Sequence, residues 1–185
     1  MENKRKIDPM GLFWALYSGF LEAEDIRTLP PENVYEEQVL DLRDFSADAP
    51  EIPCPADITF GIFRGDRTKL YEAIAKVDED WIQWYPEAGE PAFCAFDGEK
   101  VVSFCLLDKF GSYNGLTVGG PGCVGTVPEY RKLGIGLRMV QLATEELKRR
   151  GYDLSYIHYT AVGHWYARLG YQTVVRWNRD GVMGN

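Results

Sequence analysis

The segment 124–138 constrains the fold more than any other part of the chain. It reads VGTVPEYRKLGIGLR, an extended stretch and a turn with proline, followed by an amphipathic helix. The first turn of a helix has unpaired N–H groups and the positive end of the helix dipole. Gly134 and Gly136 leave room beside these groups, and Arg131 and Lys132 add positive charge. The segment therefore predicts a strand–turn–helix unit that binds a phosphate group.

Other phosphate-binding loops fit this segment less well. A dinucleotide-binding fingerprint requires glycine at position 139, where the chain has Met139. A Walker A loop requires Gly-Lys-Ser/Thr, which the sequence lacks. The remaining alternative is a glycine-rich turn with scattered basic residues and no ligand.

Predicted strands and helices alternate around this unit. Strands are predicted at 58–63, 92–96, 101–108, 116–127, 154–159 and 171–177, and helices at 66–85, 134–150 and 161–169. Asp97–Gly98 favours a hairpin between the second and third strands, and Pro86 ends the first of these helices. Hairpins followed by strand–helix–strand units predict an α/β (α+β) fold, a mixed sheet with helices on both faces.

Prolines divide the chain near residue 56. The run P-E-I-P-C-P at 50–55 forms neither a helix nor a central strand, because proline lacks the amide donor and biases its neighbour to extended geometry. Residues 1–56 are therefore predicted to be an N-terminal extension with a helix, a strand near Tyr35–Leu42 and a proline-rich linker. Residues 57–185 are predicted to be the main domain.

An apolar stretch, Met10–Leu21, follows the basic residues 4–6 and superficially matches a signal peptide. No A-x-A-like cleavage site follows, and at about 12 residues the stretch is too short to span a bilayer, which takes ~20. A better interpretation is an amphipathic helix of the folded unit, buried on its own domain or across a homodimer. Its apolar face would consist of Phe13, Leu16, Tyr17 and Phe20.

Charge and cysteine content exclude several classes of protein. The net charge of 20 − 28 = −8 argues against sequence-independent binding to nucleic acid and mildly favours an amine-bearing partner. None of the four cysteines forms a C-x-x-C pair, and a chain this long builds a core without disulfides, so we expect a cytoplasmic protein. The two histidines have no acidic pair at ligand spacing, so no metal site is predicted.

Two segments in register resemble a known family. VPEYRKLGIGLR resembles motif A of the GCN5-related N-acetyltransferases (GNAT), the R/Q-x-x-G-x-G/A signature, and HWYARLGY at 164–171 resembles the later family pattern F-Y-x-K-L-G-F. The predicted element order from 57 to 178 also follows the family. The resemblance implies a mostly antiparallel mixed sheet, splayed between its fourth and fifth core strands. It also implies acetyl-CoA as co-substrate.

The resemblance assigns roles to individual residues. Val124 and Thr126 fall where the backbone of the splayed strand bonds the pantetheine arm, and Gly125 suits a strand that another chain approaches closely. Tyr166 falls on the tyrosine that protonates the leaving thiolate. Its alternative is a core tyrosine on an apolar helix face. The pyrophosphate turn corresponds to Arg131, Lys132, Leu133, Gly134, Ile135, Gly136 and Leu137.

The sequence also departs from the family. Many members carry an asparagine near the end of the fifth core strand, where this chain has Tyr159, and an acid early in the fourth, whereas 116–127 has none. The candidate general bases are therefore Asp108, His158 and Glu129. The chain stops soon after the sixth core strand, so a seventh is expected to be short or missing, with the N-terminal extension covering that edge.

The resemblance implies an acetyl-CoA-dependent N-acetyltransferase. An amine of a small molecule or peptide would attack the thioester directly. Two alternatives stay open. One is a transferase of another acyl group, because a fold does not fix function. The other is an acyl-CoA-binding module without transferase activity, which the absent strand acid keeps open.

Overall fold

The computed structural model describes residues 7–46, 51–85 and 89–184. The basic residues 4–6, Pro50 and Pro86 lie outside them. The strands are β1 (Tyr35–Asp41), β2 (Ile58–Ile62), β3 (Ala92–Asp97), β4 (Lys100–Tyr113), β5 (Leu116–Thr126), β6 (Leu154–Thr160), β7 (Gln172–Asn178) and β8 (Gly181–Val182). The helices are α1 (Pro9–Leu16), α2 (Glu24–Arg27), α3 (Arg67–Ala75), α4 (Ile135–Arg149) and α5 (Gly163–Ala167).

All eight strands form one sheet in the order β2-β3-β4-β5-β6-β1-β7-β8. Neighbouring strands are antiparallel except β5 and β6, which are parallel. Those two strands are the fourth and fifth of the main domain. They pair only at Val118–Leu154 and Gly119–Ser155. The predicted mixed, mostly antiparallel sheet with a splay at this position is confirmed.

Helices cover both faces of the sheet. Cys105 and Leu107 of β4 pack with α4 on one face, while Phe104 and Leu106 pack with α3 on the other. Alternating side chains of one strand therefore enter two separate cores. α1 lies on the α3 side, where Leu12 packs against β5 and β6. None of the helices in the described ranges is long and apolar enough to cross a membrane.

The strand of the N-terminal extension lies inside the sheet. β1 pairs antiparallel with β6 on one side and with β7 on the other. The extension thus covers the edge of the fifth core strand, and the strand after the sixth, β8, spans only Gly181–Val182. The division at residue 56 stays a prediction, but the sheet itself is continuous across it.

Residues 7–41, which we call the N-terminal arm, cover the β6 and β7 side of the α3 face. Phe13 of the arm is fully buried. The Tyr17 ring stacks on His158, with centroids 3.7 Å apart and planes 8° apart. Beneath these rings lies the fully buried Glu37. Its carboxylate accepts a hydrogen bond of 2.7 Å from the Trp177 indole and lies 2.9 Å from His158 Nδ1.

Two predicted helices are shorter than expected. The predicted helix 66–85 divides into α3 and a 3₁₀ segment, Glu79–Trp84, because each has its own N-cap residue. The Asp66 side chain accepts a hydrogen bond from Thr68 N, and the Asp78 side chain accepts one from Asp80 N. The predicted helix over Met10–Leu21 ends at Leu16, because Gly19 takes a left-handed conformation before a 3₁₀ turn. The apolar residues of both segments have helical spacing, but N-cap residues and a left-handed glycine end the helices earlier than that spacing predicts.

Candidate active site

A cavity of about 540 Å³ opens between the end of β5, the start of α4 and α5. The two sequence motifs that resemble the family meet here, although residues 139–163 lie between them in the sequence. Its lining includes nearly all the predicted site residues, namely Val124, Gly125, Thr126, Arg131, Lys132, Gly134, Ile135, Gly136, Leu137 and Tyr166. Leu133 is the exception. Its side chain is 45% exposed and does not line the cavity.

The start of α4 presents unpaired donors to the cavity. The N–H groups of Ile135, Gly136 and Leu137 have no acceptor within the described chain, because the first bond of the helix runs from Arg138 N to Gly134 O. Lys132 and Gly134 both have positive φ, at 65° and 82°. Such turns direct successive N–H groups to one side and form an anion-binding concavity.

The two glycines of this turn have different tasks. A Cβ at Gly134 would overlap the Pro53 carbonyl oxygen, so this glycine lets the proline-rich linker pack behind the turn. A Cβ at Gly136 would lie 2.5 Å from Thr126 Oγ1 and 3.6 Å from the Trp165 ring, both of which line the cavity. Gly136 therefore holds open the space beside the helix N–H groups, whereas Gly134 is needed by the fold.

The cavity is positively charged in a chain of net charge −8. Arg131, Lys132 and Arg168 line it, and the described lining contains no carboxylate. Arg131 Nε donates to the Thr126 carbonyl at 3.0 Å, which fixes the guanidinium at the end of β5. Free helix N–H groups and cations together fit a pyrophosphate.

β5 offers an unpaired backbone edge to the same cavity. Beyond Gly119 it has no partner on its β6 side in the ranges that the structure describes. On its other side it is anchored to β4, where Ser103 Oγ donates to the Gly125 carbonyl at 2.7 Å and lies 2.9 Å from Thr126 Oγ1. An edge held rigid on one side and open on the other can bind an extended amide-containing molecule through main-chain hydrogen bonds.

Tyr166 has a buried ring and a hydroxyl without a protein partner. It is 6% exposed and packs edge-on against Trp165 and Tyr171, with ring centroids 4.8 and 6.0 Å away. Its hydroxyl makes no hydrogen bond to any residue that the structure describes, and the residue lines the cavity. Burial raises the pKa of Tyr166 above its ordinary value, so the phenol stays protonated and can donate. The neighbouring Tyr171, in contrast, bonds to Thr144 and Ser155.

Cys123 distorts β5 beside the cavity. Its φ is +46°, and the β4–β5 register shifts between Phe104 and Leu106, opposite this residue. Tyr85 donates to the Cys123 carbonyl at 2.7 Å and fixes the distortion. Burial, together with Asp108 and Asp78, raises the pKa of the thiol to about 12. A thiol that stays protonated is a poor nucleophile.

Sequence reasoning missed several lining residues. They are Val77, Tyr130, Val162, His164, Trp165 and Arg168. His164 and Arg168 lie one turn apart and flank Tyr166, so helical spacing from Tyr166 would have found them. Val77 and Tyr130 reach the cavity through tertiary packing, which no local pattern signals. Within the described ranges, no group of three or more His, Cys, Asp or Glu side chains could hold a metal ion.

Comparison with solved structures identifies the fold. The GCN5-related glucosamine N-acetyltransferase region of a fungal multi-domain beta-N-acetylglucosaminidase superposes with a TM-score of 0.62 at 24% identity, over 80% of this chain and 20% of that one. The GCN5-related N-acetyltransferase of Sphaerobacter thermophilus superposes with a TM-score of 0.58 at 19% identity, over 80% of this chain and 51% of that one. The GCN5-related N-acetyltransferase of Kribbella flavida superposes with a TM-score of 0.55 at 20% identity, over 97% of this chain and 78% of that one.

These structures define the class, the GNAT acetyltransferase fold. Residues 88–173 match the family model of the acetyltransferase (GNAT) domain. This part of the chain is therefore similar to the GCN5-related N-acetyltransferases. No curated protein is significantly similar in sequence to the chain. The chain spans only about a fifth and a half of the first two structures that it resembles.

Proposed function

We propose that the protein is an N-acetyltransferase that uses acetyl-CoA and acetylates an amine of a small molecule or peptide. The observation that carries the proposal is the cavity, in which free α4 N–H groups, cations and an open β5 edge lie together. The first two suit a pyrophosphate, and the edge suits a pantetheine arm. Acetyl-CoA would supply the acyl thioester. The GNAT domain match supports this family of reaction.

Tyr166 is suited to protonate the departing sulfur. An alkyl ammonium has a pKa near 10.4 and a thiol near 8.5, so the acceptor must lose a proton and the thiolate gains from a donor. The Tyr166 phenol is protonated and has no competing acceptor in the described chain. It can therefore act as general acid.

Direct attack by the amine is favoured over transfer through an acyl-cysteine. Cys123 is the cysteine nearest in sequence to the residues that line the cavity, and its raised pKa of about 12 keeps the thiol protonated at neutral pH. A covalent route requires a thiolate, which this environment disfavours.

Thiol release from acetyl-CoA across an amine panel tests the proposal. The panel comprises polyamines, amino acids, peptide N-termini and glucosamine, the last because it is named for one structural neighbour. We expect thiol release with at least one class of amine. Propionyl-CoA and malonyl-CoA in parallel test the acyl group. Tight binding of acetyl-CoA with no thiol release from any amine would instead identify a binding module.

A further inference from the structure

We propose that Asp108, from β4, is the general base that deprotonates the acceptor amine, and that its carboxylate takes the place of an acid absent from β5. This inference rests on the proposed transferase function. It is carried by the position of the Asp108 carboxylate over Gly122, by the splay of the sheet at this point, and by the carboxylate's having no partner among the described residues.

The carboxylate of Asp108 occupies space that a β5 side chain would otherwise fill. In the β4–β5 register, Leu106 lies opposite Gly122 and Asp108 opposite Gly120. A Cβ at residue 122 would overlap Asp108 Oδ2. The chain therefore has glycine on β5 and reaches the same point with an acid from the adjacent strand. Sequence inspection of β5 alone finds no acid because the acid belongs to β4.

The position of Asp108 relative to the cavity follows from the distortion at Cys123. Val124 packs on the α4 side, where the cavity lies, whereas Asp108 and Gly122 lie on the opposite, α3 side. β5 and β6 are no longer paired here, so no backbone hydrogen bonds close the sheet between the two sides. A carboxylate that lies within about 3 Å of an amine nitrogen, or one water away from it, can accept its proton.

The same cysteine links the proposed base and the proposed acid. The charge of Asp108 raises the pKa of the Cys123 thiol, and Cys123 in turn contributes to the raised pKa of Tyr166. Tyr166 lines the cavity on the α4 side of β5, and Asp108 lies against Gly122 on the α3 side.

Asp108 has no hydrogen-bond or ion-pair partner among the residues that the structure describes. Burial, together with the charge of Glu90, raises its pKa to about 6. The other ionisable groups whose charge interacts with it have raised pKa values and are neutral near pH 7; they are Tyr17, Tyr85, Cys105, Cys123 and Tyr152. A carboxylate without a cation, with a pKa just below neutral, is suited to accept a proton.

The two other candidate bases are placed differently. His158 is already engaged, since Nδ1 lies 2.9 Å from Glu37 and the ring is covered by Tyr17. Glu129 lies exposed in the 3₁₀ turn Pro128–Tyr130, on the solvent side.

The proposed reaction moves the acetyl group from sulfur to nitrogen through two proton transfers that involve the protein. The acceptor ammonium gives a proton to the Asp108 carboxylate, and the neutral nitrogen forms a bond to the thioester carbonyl carbon. The C–S bond then breaks, the sulfur takes the proton of the Tyr166 hydroxyl, and the nitrogen releases its second proton to solvent. Solvent exchange returns a proton from Asp108 to Tyr166, so the enzyme ends unchanged and the products are an amide and a free thiol.

Three variants test this role with the best amine of the panel. Asp108→Asn should lower kcat by about 10²–10⁴-fold, the range of general catalysis. Its affinity for acetyl-CoA and its Tm should not change. Asp108→Glu should restore part of kcat. Gly122→Ala should displace the flexible carboxylate and also lower kcat without weakening acetyl-CoA binding. Glu129→Gln, a matched acid-to-amide control on the exposed turn, should keep wild-type kcat.

The pH profile separates this role from a structural one. Because the carboxylate must be ionised to accept a proton, kcat of the wild type should rise with pH through a midpoint near 6. In Asp108→Asn this rise of kcat with pH, the acidic limb of the profile, should be absent. Glu90→Gln removes the charge that raises the Asp108 pKa, so it should move the limb to lower pH.

Two results would overturn the inference in different ways. An active wild type whose kcat and pH limb are unchanged in Asp108→Asn would overturn the role of Asp108 and leave the transferase standing. A wild type that binds acetyl-CoA but releases no thiol with any amine would overturn the transferase, and with it the base.

Discussion

At the start of α4 the protein leaves backbone N–H groups unpaired beside a cavity, whereas under the N-terminal arm it supplies hydrogen-bond donors to the fully buried Glu37 carboxylate. The first three N–H groups of α4 and the β6 side of β5 have no partner in the described chain. Glu37 accepts from the Trp177 indole and the Tyr159 amide, and lies beside His158. Unpaired groups next to a cavity indicate ligand binding, and satisfied groups under aromatic rings indicate stability. The predictions below test this contrast.

The largest effect should come from Tyr166. Tyr166→Phe keeps the ring but removes the proton donor, so kcat should fall by about 10²–10⁴-fold. The KM for acetyl-CoA and the Tm should change little. Tyr171→Phe is the matched control: it leaves the buried Ser155 hydroxyl without a partner. That variant should lose about 1–3 kcal/mol of stability and keep its turnover. A Tyr166→Phe enzyme with turnover within about threefold of wild type would remove Tyr166 from the mechanism.

The arm should contribute stability through Phe13. This side chain is fully buried among α2 and β7 residues, whereas Trp14, next to it, is 38% exposed. Phe13→Ala should lower the free energy of unfolding by about 3–5 kcal/mol. Trp14→Ala should cost much less. Urea denaturation of both variants measures the difference, and equal costs would show that the arm is not packed as described.

The cavity should lose its anionic ligand in Gly136→Val. Displacing hydrogen bonds to a charged group, each worth about 1.5–3 kcal/mol, should weaken acetyl-CoA binding by about 100-fold or more. The fold should survive, because the atom in the way is the rotatable Thr126 hydroxyl. Gly61→Val is the control, since its Cβ meets nothing within 4 Å. Calorimetry measures the affinity of both variants for acetyl-CoA. An unchanged affinity in Gly136→Val would show that acetyl-CoA does not bind at the α4 turn.

The smallest effect should come from the buried acid of the arm. Glu37→Ala leaves the fully buried Trp177 indole without an acceptor, which should cost about 1–3 kcal/mol. Glu37→Gln retains an acceptor oxygen and should cost less. Cofactor affinity should be unchanged in both. Thermal unfolding combined with calorimetry measures this, and a loss of acetyl-CoA binding would show that the two regions are coupled.

The same contrast explains what the sequence could predict. The α4 turn is encoded in consecutive residues, so its glycines and its strand–turn–helix order were evident, and nearly all predicted ligand residues line one cavity. The arm depends on pairs such as Glu37 and Trp177, 140 residues apart, which no local pattern reveals. The position of Asp108 also depends on a contact between two strands, which the sequence does not show. It was one of three candidates until the register of β4 and β5 set it over Gly122.

The insertion of β1 between β6 and β7 also governs the order in which the chain can fold. Synthesis delivers residues 35–41 early, yet both strands that flank them belong to the last third of the chain. Until those strands emerge from the ribosome, β1 has two open edges that can pair with other chains. Closing contacts over such sequence separations is slow. Glu36 and Glu37, adjacent acids within β1, oppose premature pairing through their charge until the partners that neutralise or bury them have been made.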